Sequence, residues 1–168
     1  MKIGVISDTH IPVTATKLPQ RVIESLRGCD LIIHAGDIVD ISLIDKLEEI
    51  AQTKAVWGNM DGNEVRKKLP EKIVLDVEGK KIGVVHGRGP AAAVIRYVKE
   101  AFDEKMDIII FGHSHTPVNE KRDSTLFFNP GSPTDRIFSP YCSFGIIEIE
   151  GGDVRSEIIR VEDDREVS

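Results

Sequence analysis

Short apolar runs recur along the chain, and most of them stop at a residue that can bind a metal ion. Such runs predict strands that are buried on both faces of a sheet. The run ending in Phe111 is followed by Gly112 and then by His113 and His115. Alone, two histidines at i and i+2 are also compatible with a surface loop, because short motifs often occur by chance. The other runs strengthen the metal interpretation, since further candidates follow them: Asp8, His10, Asp37, Asn59 and His86.

Helical spacing separates the first strands, whereas turns separate the later ones. Helices are predicted from Pro19 to about Arg27, from Ser42 onward and from Pro90 onward. The order strand, helix, strand predicts parallel pairing through right-handed crossovers. The predicted strands cover 2–7, 30–35, 54–57, 72–77, 80–85, 107–111, 125–128, 141–149 and 154–161, with hairpins at 78–79 and 151–152.

These elements predict an α/β protein, specifically a four-layer α/β/β/α sandwich of two facing mixed sheets flanked by helices. At 168 residues the chain has the length of a single domain. We therefore expect one domain over 1–168, with a frayed charged tail at 162–168.

Composition and charge exclude several classes of partner. No apolar run approaches the ~20 residues of a membrane-spanning helix, so no membrane association is expected. The chain starts directly on a strand-like run, which favours a cytoplasmic location. Its net charge is −6 and it has no long basic block, so a large nucleic-acid duplex is not an expected partner. Cys29 and Cys142 lie far from the candidate cluster, and neither a disulfide nor a sulfur-ligated metal is expected.

The candidate residues offer oxygen and nitrogen ligands and no sulfur, a set that suits Mn, Fe, Zn, Ni or Co. Seven candidates exceed the three or four ligands of a tetrahedral zinc site, so either several are incidental or two ions share the site. A carboxylate can bridge ions ~3.5 to 4 Å apart, and a water between them loses its proton near neutral pH. Two divalent ions, two aspartates and a hydroxide sum to about +1, which favours an anion such as a phosphate ester.

The ordered motifs resemble those of the calcineurin-like metallophosphoesterase superfamily, in particular small phosphodiesterases of the YfcE and MJ0936 kind. They are Asp-x-His, Gly-Asp, Gly-Asn-x-Asp, His-Gly and Gly-His-Ser-His, followed by Asn-Pro-Gly-Ser, and they run from Asp8 to about Arg136. The resemblance implies a dinuclear phosphodiesterase that hydrolyses small phosphodiesters or nucleotides through a metal-bridging hydroxide. Mn is the first expectation for the metal, with Ni, Fe, Zn and Co as alternatives.

By this resemblance, the ligands are also the catalytic residues and form two groups that share a bridging Asp37. One group is Asp8, His10 and His115, and the other is Asn59, His86 and His113. Asp61 would orient a ligand. Asn59, Arg88 and Arg136 are the expected contacts to substrate, although both arginines are equally compatible with solvated surface charges.

The sequence departs from one branch of the superfamily at Met60. Protein phosphatases carry Gly-Asn-His-Asp/Glu at this motif, and their histidine is a candidate acid for the leaving group. Methionine cannot donate that proton, which disfavours a phosphomonoesterase as an alternative function. A second alternative is a protein-interaction scaffold, because a retromer subunit resembles the same fold. A homo-oligomer is left open.

Overall fold

Residues 1–161 are described here by a computed structural model. Within them, the strands are β1 Lys2–Ile6, β2 Leu31–His34, β3 Gln52–Ala55, β4 Lys72–Val77, β5 Lys80–Val85, β6 Ile108–Ile110, β7 Val118–Arg122, β8 Thr125–Asn129, β9 Ser143–Glu150 and β10 Asp153–Arg160. The helices are α1 Gln20–Leu26, α2 Ser42–Glu48, α3 Asn63–Lys68 and α4 Ala91–Glu100. The tail 162–168, which the sequence predicts to be frayed, lies outside the described residues.

The strands form two mixed sheets. The first has the order β10-β9-β1-β2-β3 and the second the order β4-β5-β6-β8-β7. Strands β1, β2 and β3 are parallel, as are β5, β6 and β8, whereas β4–β5 and β9–β10 are antiparallel hairpins. The predicted α/β architecture of two mixed sheets, with parallel crossovers first and hairpins later, is therefore confirmed.

Apolar side chains fill three separate layers of core. In β1, Ile3 and Val5 pack between the two sheets, whereas Ile6 packs under α1 and α2. In β6, Ile108 and Ile110 enter the layer between the sheets, and Ile109 packs against α4. Because successive side chains point to opposite faces of a strand, each central strand contributes to two layers. The resulting order is helices, sheet, sheet, helix.

Two elements were not predicted from the sequence, and one strand lies earlier than predicted. Strand β7 has the burial of an edge strand, with four of its five residues exposed, so it lacks apolar alternation. Helix α3 buries only Val65. The third parallel strand covers Gln52–Ala55 rather than 54–57, since its polar outward positions conceal its start. None of the helices in residues 1–161 is long and apolar enough to cross a membrane.

Candidate metal centre

The candidate ligands converge at one edge of the two sheets, where parallel strands end. Asp8 and His10 follow β1, Asp37 follows β2 and Asn59 lies beyond β3. From the second sheet come the residues that follow β5 and β6, namely His86, His113 and His115. The carboxyl ends of parallel strands point the same way, and this topology places ligand-binding loops together. The structure thus brings all seven predicted residues into one cluster.

The first group of ligand atoms is compact and largely buried. Asp8, His10, Asp37 and His115 each offer one ligand atom, and these atoms all lie within 4.8 Å of one another. His115 Nε2 is 3.3 Å from His10 Nε2 and 3.3 Å from Asp8 Oδ1. A set of two carboxylates and two imidazoles at this spacing can coordinate a divalent transition ion.

The second group adjoins the first through Asp37. Asn59 Oδ1 is 2.9 Å from His113 Nδ1 and 3.1 Å from His86 Nε2. Asp37 Oδ2 is 3.3 Å from His86 Nε2 and 3.6 Å from His10 Nε2. A single carboxylate oxygen therefore lies beside a histidine of each group.

Five of the seven residues have a left-handed backbone. The φ angles are 53° at Asp8, 43° at His10, 59° at Asp37, 71° at His113 and 54° at His115. Residues other than glycine seldom adopt this conformation, and each costs of order 1–3 kcal/mol unless its surroundings hold it. Five such residues in these loops indicate that the loop conformation serves to position the side chains rather than to stabilise the turns.

Backbone carbonyls fix the orientation of two imidazoles. His86 Nδ1 donates a hydrogen bond to the carbonyl of Ala35 at 2.7 Å, and His113 Nε2 donates to the carbonyl of Gly89 at 2.9 Å. A carbonyl oxygen can only accept, so the proton sits on that nitrogen. In the neutral imidazole, the other ring nitrogen of each histidine then directs its lone pair toward Asn59 Oδ1, which is the arrangement a metal ligand needs.

Asp135, which the sequence analysis missed, holds a third imidazole. Its Oδ2 accepts a short hydrogen bond from His115 Nδ1, leaving His115 Nε2 directed at Asp8. Its Oδ1 accepts from the backbone amides of Ile137 and Phe138. Asp135 lies just after the Asn-Pro-Gly-Ser motif, and that position was the one available signal.

The Asn-Pro-Gly-Ser motif ties the loops together. Ser132 Oγ donates to the carbonyl of Asp8 at 2.7 Å, and Asn129 Nδ2 donates to the carbonyl of Gly112 at 3.0 Å. Gly112 lets its loop lie close to Ser7, because a Cβ at position 112 would lie 1.9 Å from Ser7 Oγ. The motif therefore supports the loops that carry Asp8 and His113.

The carboxylate of Asp61 contacts backbone amides and does not belong to the candidate ligands. Its carboxylate accepts hydrogen bonds from the amides of Asp37 at 3.0 Å, Ile38 at 2.8 Å, Val39 at 2.7 Å and Gly58 at 2.7 Å. It is 3% exposed, so water does not readily replace these contacts. Asp61 thereby holds the Asp37 loop against the loop that carries Asn59.

Arg66 is a second residue that the sequence analysis missed, because α3 was not predicted. Its Nε donates to the carbonyl of Asp61 at 2.7 Å and its Nη2 to the carbonyl of Asn59 at 3.1 Å. Its guanidinium lies 4.3 Å from the ring centroid of Trp57. Arg66 therefore secures the Asn59 loop from outside.

The two predicted substrate arginines occupy different positions. Arg88 is exposed, stacks 4.4 Å from the ring centroid of Tyr97 and lines a cavity together with Asn59 and His86. Arg136 is also exposed but lies outside the residues lining that cavity.

Two further residues, Met60 and His34, lie close to the candidate ligands. The amide of Met60 donates to Asp37 Oδ1 at 2.8 Å, and its side chain is 61% exposed. His34 is fully buried, with Nε2 2.9 Å from Thr9 Oγ1 and Nδ1 accepting from the amide of Gly36. His34 therefore belongs to the core and is not a candidate ligand.

Burial and charge oppose one another in the metal-free protein. Burial raises the pKa of Asp8, but the charge of His86 and the hydrogen bond of His115 outweigh it and lower that pKa to about 2. Burial lowers the pKa of His86, yet Asp8 and Asp37 outweigh it and raise that pKa to about 9. For His115, Asp8 and Asp135 outweigh burial and raise the pKa to about 9. Without ions, both imidazoles therefore carry an additional proton at neutral pH.

Comparison with known proteins shows the family of the chain. Residues 1–152 match the calcineurin-like phosphoesterase superfamily domain. The chain belongs to this superfamily. A probable metallophosphoesterase of Methanothermobacter thermautotrophicus is 36% identical over 95% of this chain and 92% of that protein. Phosphodiesterase MJ0936 of Methanocaldococcus jannaschii is 25% identical over 95% of this chain and 99% of that protein.

A solved structure of Vps29 complexed with Zn²⁺, from Entamoeba histolytica, has the same fold as this phosphoesterase. Its TM-score is 0.73 at 26% identity, over 95% of this chain and 99% of that one. The fold therefore occurs both in proteins named for phosphodiester hydrolysis and in a vacuolar sorting protein, and function has to be argued from the site.

Asp61→Ala is expected to lower the free energy of unfolding by about 3–5 kcal/mol, because four backbone donors lose a charged acceptor in a site closed to water. Urea denaturation of the metal-free protein measures this. The matched control is Asp103→Ala at an exposed position between α4 and β6, which should change stability by less than about 0.5 kcal/mol. A loss below 1 kcal/mol for Asp61→Ala would contradict the assigned role.

The metal-free phosphoesterase is expected to lose thermal stability between pH 6.5 and 9.5. His86 and His115 have pKa values of about 9 in the folded protein, above the ordinary value of about 6.5. Their stabilisation is thus complete below pH 6.5 and is lost as the pH rises through 9. Unfolding temperatures in chelator, across this range, measure the effect.

Bound ions replace these protons, so added Mn²⁺ should raise the unfolding temperature more at pH 9 than at pH 6.5. His86→Gln should weaken the pH dependence in chelator. An unfolding temperature that increases from pH 6.5 to 9.5 without metal would refute the charge assignment.

Proposed function

We propose that this phosphoesterase is a dinuclear metal-dependent phosphodiesterase that hydrolyses small phosphodiesters or nucleotides. The observation that carries the proposal is the position of Asp37 Oδ2, 3.3 Å from His86 Nε2 and 3.6 Å from His10 Nε2. A carboxylate shared between two groups of ligands is the feature expected of a site for two ions. The name of the relative MJ0936, a phosphodiesterase, supports the choice of diesters.

The ligands divide into two sets around Asp37. Asp8, His10 and His115 would hold one ion, and Asn59, His86 and His113 the other. The donor set fits transition ions, because it consists of carboxylate and amide oxygens and imidazole nitrogens without sulfur. Mn is proposed first, with Ni, Fe, Zn and Co as alternatives.

Divalent ions in such a site lower the pKa of a coordinated water and attract the oxygens of a phosphoryl group. The chain supplies the remaining parts of the mechanism. Ala35, Gly89 and Asp135 keep the histidine lone pairs directed inward. The exposed amide of Asn59 and the guanidinium of Arg88 can donate to the phosphate of the substrate. Arg136 remains a weaker candidate for this contact.

A second candidate function is a protein-interaction scaffold, and one observation favours it. Ile137 and Phe138 are 83% and 80% exposed on the loop next to Asp135, close to the centre. Exposed large apolar side chains of this kind occur at contacts between proteins. Vps29 shares the fold. The complete ligand set favours the enzyme over the scaffold. The cytoplasmic location remains a prediction, and a homo-oligomer remains an open alternative.

Two ions per chain are expected at saturating Mn²⁺, the second more weakly bound because Asn59 is neutral. Asp37→Asn removes the shared charge and should lower kcat/KM for an aryl phosphodiester by about 10² to 10³, the range typical of losing one group that stabilises the transition state. Elemental analysis, anomalous diffraction and steady-state kinetics measure these effects.

The matched control is Asp103→Asn, which removes an exposed carboxylate elsewhere and should leave both readouts unchanged. Circular dichroism should show Asp37→Asn to be folded. Full activity of Asp37→Asn, or one ion per chain at saturation, would refute the dinuclear assignment.

Met60→His is expected to help substrates with poor leaving groups. The methionine at position 60 cannot protonate the departing oxygen, so the rate of hydrolysis should fall steeply as the leaving-group pKa rises. An imidazole there could recover part of the ~10² to 10⁴ that general acid catalysis supplies, with little gain for activated esters.

The measurement is kcat/KM for a graded series of diesters, at full metal occupancy, in wild type and Met60→His. Met60→Gln is the control for a polar side chain that cannot act as an acid. Equal leaving-group slopes in wild type and Met60→His would show that Met60 does not mark a missing acid.

A further inference from the structure

A cavity of about 230 Å³ opens directly beside the metal centre. Two of its lining residues, Asn59 and His86, belong to the centre itself. A substituent of a phosphate bound at the centre can therefore extend into this space. Its other walls include two aromatic side chains, two arginines and a carboxylate: Trp57, Arg66, Glu71, Arg88 and Tyr97.

Both arginines in the cavity are stacked on aromatic rings. The guanidinium of Arg66 lies 4.3 Å from the Trp57 centroid, and that of Arg88 lies 4.4 Å from the Tyr97 centroid. Arg66 is further fixed by its hydrogen bonds to the carbonyls of Asp61 and Asn59. Stacking limits the motion of a planar guanidinium, so the cavity presents ordered, flat and cationic surfaces.

This combination of surfaces matches the chemistry of a nucleobase. Bases stack on aromatic rings and on arginine planes, and such stacking strengthens binding because every base has a flat π-face. Arg88 can donate to ring nitrogens and carbonyl oxygens, while Glu71 can accept from an exocyclic amine. A cavity of about 150 Å³ accommodates benzene, so a cavity of 230 Å³ has room for a heterocycle.

We propose that this cavity binds the base of a nucleotide substrate whose phosphate lies at the metal centre. The proposal rests on the proposed function, and it narrows the substrate from small diesters in general to those carrying a nucleoside. Trp57 and Tyr97 then determine specificity without touching the reacting phosphorus, whereas Arg88, which can also donate to the phosphate, contributes to both contacts. A simple alkyl or sugar ester leaves these contacts unmade.

The test uses Trp57 as an internal probe, because it is the only tryptophan in the sequence. Adenosine 5′-monophosphate and ribose 5-phosphate carry the same phosphate and differ by the base. Their dissociation constants are measured by tryptophan fluorescence at a fixed concentration of Mn²⁺. The nucleotide should bind about tenfold more tightly, as expected from one stacked base. Equal affinities for the two ligands would overturn the proposal.

Variants of the lining residues test whether the preference for the nucleotide over ribose 5-phosphate arises in the cavity. Arg88→Ala, at an exposed position, should reduce the tenfold ratio at least threefold, and Tyr97→Leu should do the same. The matched control is Arg96→Ala, an exposed arginine on α4 that does not line the cavity, and it should keep the ratio. If Tyr97→Leu does not fold, Arg88→Ala decides. A ratio in Arg88→Ala equal to that of the control would overturn the proposal.

Hydrolysis of an aryl phosphodiester, measured in parallel, separates this proposal from the proposed function. Hydrolysis without any preference for the nucleotide would overturn the base site and leave the diesterase assignment standing. A preference for the nucleotide without hydrolysis would support the base site and refute the diesterase assignment.

Discussion

The loops of the metal centre depend on one buried carboxylate, that of Asp61. Three consecutive amides, from Asp37 to Val39, and the amide of Gly58 all donate to it. Asp37 and Val39 both have positive φ angles, 59° and 75°, and Val39 is β-branched. Such a turn is strained by a few kcal/mol. Hydrogen bonds to a charged acceptor contribute a comparable amount, which explains how the turn persists and presents Asp37 to both groups of ligands.

The same edge concentrates the negative charge of Asp8 and Asp37 away from water. The Asp8 carboxylate is fully buried and Asp37 nearly so, and a buried carboxylate is costly unless hydrogen bonds or a cation compensate it. Without ions, protons on His86 and His115 take that role, as their raised pKa values show. Metal ions compete with these protons for the same lone pairs. Bound ions would therefore convert a cluster of acid–imidazole pairs into a centre suited to an anionic ester.

The sequence predicted the site best where a residue able to bind a metal directly follows a predicted strand. Each main ligand follows an apolar run, so the sequence alone places residues as distant as Asp8 and His115 at the same edge of the sheets. Asp135 and Arg66 were not predictable in this way, because they act through hydrogen bonds to loops whose paths depend on tertiary packing. Strand β7 was missed for a related reason: an exposed edge strand does not need an apolar face.

Asp135 connects the cluster of candidate ligands to the exposed loop that carries Ile137 and Phe138. One of its oxygens binds His115, and the other binds the amides of Ile137 and Phe138. A partner that covered these two apolar side chains would contact the same loop whose amides hold Asp135. Displacement of the loop would alter the orientation of His115, because the imidazole and the loop share one carboxylate. Occupation of the cluster and a contact made through Ile137 and Phe138 would therefore influence one another through Asp135.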